Sequence, residues 1–203
     1  MNAIARRVGL FGGTFDPVHN AHVALAQLAL TALRLDELRW VPAGQPWQKS
    51  GVSPAVHRVA MVALAMQGEP RFVLERCEVD RAGPTYTLDT VRQLQAAEPH
   101  TDWFLVIGQD QYAGLHTWKD WRELLGKVTL AVANRPGNVP PVDAEVLRFP
   151  HRAVPLEMMD ISSTDIRERA AQCLPIDHLV PAAVASYIAR HHLYPRPTGH
   201  HRS

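Results

Sequence analysis

Two histidines three residues apart, His19 and His22, follow the glycines Gly12 and Gly13 in "VGLFGGTFDPVHNAHVALAQL", Val8 to Leu28. Glycines at the carboxyl end of a strand let main-chain N–H groups come close to a phosphate, and the hydroxyl of Thr14 adds a donor. At the opening of the next helix, His19 and His22 share one face, where free N–H groups and the helix dipole attract anions. Two imidazoles there would donate hydrogen bonds to phosphate oxygens, and an imidazolium would neutralise charge building up at phosphorus. Two other readings stand beside this one. His22 would serve as a satisfied core residue with His19 as a cap, or Asp16, His19 and His22 would ligate a metal, although no further ligand cluster completes such a site.

A second stretch carries related chemistry. "ISSTDIRER", Ile161 to Arg169, sets three hydroxyl residues at the start of a late helix and Arg167 one turn inside it. Such a helix end can hold a polyphosphate, with hydroxyls and N–H groups as donors and a guanidinium closing on the charge; alone, the hydroxyls would be read as a helix cap. The glycines do not follow G-x-G-x-x-G, and no acidic residue stands where the ribose of a dinucleotide needs one, which argues against a bound NAD of the dehydrogenase kind.

These residues need elements to position them. Apolar runs rich in β-formers ("RVGLF", "ELRWV", "RFVLE", "DWFLVIG", "VTLAVANR", "AVPLEM") alternate with segments of helical period ("HVALAQLALTALR", "PAVHRVAMVALAMQ", "TLDTVRQLQAA", "WKDWRELLG", "STDIRERAAQ", "PAAVASYIARHH"). Alternation of this kind predicts an α/β fold: a Rossmann-like doubly wound parallel sheet with helices on both faces and a small C-terminal helical elaboration. Ligands in such sheets sit beyond the carboxyl ends of the strands. Ser53 before Pro54 predicts an N-cap with proline at the first helical position, and Ser163 or Thr164 is expected to cap the late helix. Asn134 to Asp143 is the expected mobile loop, and residues 1–195 are expected to form one domain, with 196–203 a flexible tail and the end of the chain from Tyr194 frayed.

The bulk numbers narrow the function class. In 203 residues, 21 basic side chains face 20 acidic ones, a net charge of +1, so no broad field exists to bind a nucleic-acid backbone or an anionic membrane. Composition that is 46% hydrophobic supports a real core. Cys77 and Cys173 are far apart and form no C-x-x-C, which suits reduced thiols, and no apolar run approaches the ~20 residues of a membrane span. A cytoplasmic enzyme or binding domain is expected, with a homo-oligomer consistent with the habits of such chains.

"GGTFDPVHNAH" resembles the (H/T)-x-G-H signature of the nucleotidyltransferase superfamily, and "ISSTDIR" its ISSTxIR partner. "PAGQPWQK", ending in Lys49, "RAGPTYTLDT" and "IGQDQYAGLHTWKDWREL" follow in the order found in bacterial nicotinate-nucleotide adenylyltransferases, so the likeness covers most of the chain. Ala21 departs from the signature by standing where glycine is usual. The resemblance implies transfer of AMP from ATP to nicotinate mononucleotide, with His22 at the α-phosphate and His19, Gly12, Gly13, Thr14 and Phe15 around the polyphosphate. It further implies Lys49 at the reacting phosphates, Ser162, Ser163 and Arg167 on the leaving group, and Mg2+ delivered with ATP. On the acceptor side it implies Trp118 stacked on the pyridine, main-chain donors around Thr85, Tyr86 and Thr87, and Asp110 orienting hydroxyls or main chain. Nicotinamide mononucleotide or phosphopantetheine as acceptor, and a non-catalytic nucleotide-sensing domain, are the competing readings.

Overall fold

In a computed structural model that describes residues 5–45, 51–134, 141–157 and 159–195, six apolar runs assemble into one sheet. The strands are β1 (Arg6–Gly13), β2 (Glu37–Pro42), β3 (Phe72–Leu74), β4 (Thr101–Ile107), β5 (Thr129–Asn134) and β6 (His151–Pro155). Every pairing is parallel and the order is β3-β2-β1-β4-β5-β6. The helices are α1 (Asn20–Ala32), α2 (Ala55–Ala65), α3 (Thr87–Ala97), α4 (Gln109–Ala113), α5 (Trp121–Lys127), α6 (Ser163–Ala171) and α7 (Ala182–Arg190). This is the doubly wound architecture expected from the alternating pattern.

Alternate residues of the central strands feed two cores. Phe11, Phe104 and Val106 pack with α1, α2 and α7 on one face, whereas Val8, Leu10, Leu105 and Ile107 pack with α3 and α5 on the other. Because both faces are covered, β2 is buried throughout and reads as a continuous run rather than an alternation.

Register opens the crevice. β1 and β4 pair only as far as Leu10 opposite Leu105. Beyond that point β1 stays with β2 to Gly13 and Pro42, while β4 stays with β5 to Ile107 and Val132. The two halves part at the switch in strand order, where open sheets of this type hold ligands. At the far end of the sheet, Arg39 on β2 binds Glu98, which ends α3, at 2.5 Å and Glu37 at 2.6 Å. That ion-paired cluster pins the C-terminal end of α3 and leaves its N-terminal end at the crevice.

Several local expectations need correction. Pro54, not Ser53, is the N-cap of α2; the Ser53 N–H is instead committed to Asp16. Ser162 caps α6 through an Asp165 N–H···Oγ bond of 3.1 Å, so the cap falls one or two residues earlier than the expected Ser163 or Thr164. α4 was not apparent in the periodicity, and Trp118 precedes α5 rather than belonging to it. Tyr194, expected in a frayed tail, packs against the core. Residues 135–140 of the expected mobile loop, and 196–203, lie outside the described residues. Among the described residues, no helix is long and apolar enough to cross a membrane.

Candidate active site

The loop after β1 is shaped by a ring. Phe15 sits at φ 52°, and its buried ring lies 5.5 Å from Phe11, 5.3 Å from Trp40 and 5.1 Å edge-on from His22. A side chain at residue 13 would place its Cβ 2.8 Å from that ring, which explains Gly13 by close approach. The Phe15 side chain is therefore a support beneath the loop.

His19 is the N-cap of α1, and its main-chain N–H donates to His22 Nδ1 at 3.2 Å. The two rings stack with centroids 3.6 Å apart. A neutral imidazole that accepts at Nδ1 carries its proton at Nε2, so His22 is set as an Nε2 donor. Burial pushes the His19 imidazole down to about 4, which keeps it neutral near pH 7. A neutral His19 ring offers hydrogen bonding to a phosphate. Its Nδ1 is buried with no hydrogen-bond partner among the described residues, and the residue lines the cavity. The capping reading and the phosphate-donor reading of the pair are compatible, because the cap is what fixes the rings.

The late motif closes on this loop. Ser163 Oγ donates to the Pro17 carbonyl at 3.0 Å, and Arg167 donates to the Asp16 carbonyl at 2.8 Å and to Thr164 Oγ1 at 3.2 Å. Gly12, Gly13, Thr14, His19, His22, Ser162, Ser163 and Arg167 all line one cavity of about 940 Å3. Ala21 also lines it as the second residue of a regular α1, so alanine is accommodated there. Lys49 lies outside the described residues.

The same cavity extends to the acceptor-side residues Thr85, Tyr86, Thr87, Asp110 and Trp118. Tyr86 is the N-cap of α3, so the N–H groups that open the helix lie at the cavity. Lys119 stands over the Tyr86 ring with Nζ 4.3 Å from its centroid. Trp118 is half-buried at the cavity wall, while Trp121 is buried against Phe149. Asp110 is exposed in the first turn of α4, and its carboxylate orients no main chain among the described residues.

Glu78, Arg58 and the half-buried Tyr194 went unassigned in the sequence. Glu78 lines the cavity and accepts from Thr90 Oγ1 at 2.8 Å, and burial raises its carboxyl against hydrogen bonds from Thr90 and Thr85. Arg58, 1% exposed, donates to the carbonyls of Thr14, Gly44 and Ser53 at 2.8 to 3.0 Å. Tyr194 O–H donates to Asp16 Oδ1 at 2.7 Å. No short-range motif marks any of them. Asp16 itself was considered only as a metal ligand with His19 and His22. Both of its carboxylate oxygens are taken, by Tyr194 and by the Ser53 N–H, and no group of three or more ligating side chains occurs among the described residues.

A cytidylyltransferase-like family model matches residues 10–169, which include both motif loops. A protein of Methylibium petroleiphilum named probable nicotinate-nucleotide adenylyltransferase is 52% identical, over 96% of this chain and 95% of its own. One of the same name from Bordetella petrii is 46% identical, over 93% and 99%. The chain belongs to the nicotinate-nucleotide adenylyltransferase family. The fold agrees: nicotinic acid mononucleotide adenylyltransferase of Plasmodium falciparum, solved in complex with NaAD, superposes with a TM-score of 0.79 at 18% identity, over 93% of this chain and 97% of its own. As a member of this adenylyltransferase family, the chain is a nucleotidyltransferase, and its two superfamily motifs meet across the crevice just described.

Proposed function

We propose that the chain transfers the AMP part of ATP to the 5′-phosphate of nicotinate mononucleotide, releasing pyrophosphate and forming deamido-NAD. One observation carries this reading. The 2.8 Å bond from Arg167 to the Asp16 carbonyl joins the start of α6 to the histidine loop, so both motifs share one cavity with the opening of α3. Two relatives above 45% identity, whose names specify nicotinate-nucleotide adenylyl transfer, support it.

A phosphate oxygen is already nucleophilic at neutral pH, so the chemistry needs alignment and charge stabilisation rather than an activated serine or cysteine. In this reading the His22 Nε2–H donates to the α-phosphate as charge develops there, and His19 and the main chain of Gly12 to Phe15 hold the polyphosphate. The Ser162 hydroxyl, the main-chain N–H of Ser163 and the Arg167 N–H groups not committed to the loop take the departing pyrophosphate. Lys49 is assigned to the reacting phosphates on the family motif alone.

On the acceptor side, main-chain donors around Thr85, Tyr86 and Thr87 take the nicotinate carboxylate and Trp118 stacks on the pyridinium. Asp110 receives ribose hydroxyls. Mg2+ belongs to this reading as a partner of ATP, since the triphosphate supplies the oxygen ligands that the described residues do not gather. The unpaired Cys77 and Cys173 support a cytoplasmic setting, and the single sheet supports one catalytic domain over residues 1–195.

Pyrophosphate release from ATP with nicotinate mononucleotide, nicotinamide mononucleotide and phosphopantetheine supplied separately tests the assignment. Turnover with the first in clear excess is expected. Silence with all three, or preference for phosphopantetheine, would overturn it.

A further inference from the structure

Three parts of the chain meet at Asp16. Its Oδ2 takes the Ser53 N–H at 3.0 Å, from the segment leading into α2. Its main-chain carbonyl takes Arg167 of α6. The charge of its carboxylate acts on Arg58, which braces the neighbouring carbonyl of Thr14. The third contact comes from beyond α7: the Tyr194 phenol donates to Oδ1 at 2.7 Å across 178 positions of sequence. Asp16 is only 4% exposed, so its charge depends on these donors in place of water.

We propose that Tyr194 is a positioning residue for the phosphate half of the site, acting through Asp16. Asp16 stands three residues before His19, whose N–H orients the His22 ring. A carboxylate released from one donor would shift toward its remaining partners and carry the loop with it. Tyr194 makes this part-buried O–H bond to the carboxylate with its ring against the core. A residue retained for packing alone would not need the hydroxyl. The inference rests on the functional reading above, because it says which half of the reaction Tyr194 serves.

Tyr194→Phe removes the hydroxyl and keeps the ring. At a temperature where circular dichroism shows it fully folded, kcat should fall about ten- to a hundred-fold, the scale of a small misplacement of reacting groups, with KM for nicotinate mononucleotide changed less than about two-fold. In an Asp16→Asn background the same substitution should have a markedly smaller effect on kcat, since the route through Asp16 is already altered. The imidazole nitrogen resonances of His19 and His22, compared by NMR between wild type and Tyr194→Phe without substrate, should move. That spectrum tests the positioning role even if the wild-type chain turns over none of the offered acceptors. A lowered Tm with unchanged kcat and unmoved imidazole signals would make Tyr194 a packing residue and overturn the proposal, as would equal effects of Tyr194→Phe in both backgrounds.

Discussion

The His19 main-chain N–H reaches His22 Nδ1 at 3.2 Å, so the residue that caps α1 also fixes which nitrogen of its neighbour bears the proton. Orientation of the His22 ring by a helix cap removes the freedom that an isolated surface imidazole would have.

Replacement of His22 by alanine should therefore lower kcat by about 10² to 10⁴, the range for losing a transition-state donor, while ATP binding changes little. Calorimetric titration of ATP alongside steady-state turnover separates the two. Near-normal kcat in the variant would remove His22 from the chemistry.

His19 predicts a pH dependence of stability. Its folded-state value near 4 lies below the 6.5 of a free imidazole, so between these values the unfolded chain binds the extra proton. Stability from this residue is present above pH 6.5 and lost as pH falls toward 4, amounting to about 3 kcal/mol in all. Denaturation midpoints from pH 7 to 4 should decline less steeply in His19→Asn than in wild type; parallel slopes would contradict the burial argument.

Glu78 works in the opposite sense. Burial raises its carboxyl above the usual glutamate range, so any stability linked to its proton is present at low pH and is lost as pH rises through the raised value. Glutamine keeps the acceptor for Thr90 without the charge. The Tm of Glu78→Gln relative to wild type should accordingly improve between pH 4 and pH 8, measured by differential scanning calorimetry.

Trp118→Ala should raise KM for nicotinate mononucleotide about ten-fold, as expected for loss of an aromatic surface under a cationic ring, and leave KM for ATP within about two-fold. A rise confined to ATP would place Trp118 in the wrong half of the site.

Gly44→Ala probes the close main-chain approach to Glu78. A Cβ there would sit 2.0 Å from the Glu78 carbonyl oxygen, a clash with main chain that no rotamer relieves. Destabilisation of about 2 kcal/mol or more is expected in urea titrations, with Glu78 and its threonines displaced.

Much of this arrangement was legible beforehand. The strands of the central sheet announce themselves because both faces are covered, and α3 announces itself by period, covering Thr87 to Ala97 as anticipated. α4 escaped because five residues are too few to show a helical repeat. Capping at Ser162 was obscured by three consecutive hydroxyls, any of which satisfies the local chemistry; the choice is made by Ser163 donating to Pro17 instead.

The least legible residues are the buried charges. Arg58 sits in a helical run where an arginine reads as a solvated face, and Asp16 reads only as a metal ligand. Their partners are carbonyls and a phenol distant in sequence, and such matches have no local signature. The convergence of both motifs on one cavity was inferable, whereas the bond that seals it, Arg167 to a main-chain carbonyl, was not.

The link between Asp16 and Tyr194 joins positions 178 residues apart. During translation, the histidine segment leaves the ribosome well before its brace does. A nascent chain interrupted before residue 194 would display both motifs and still lack the contact that steadies the first. In the proposed reading, the histidine loop is thereby steadied only once the segment carrying Tyr194 has been made.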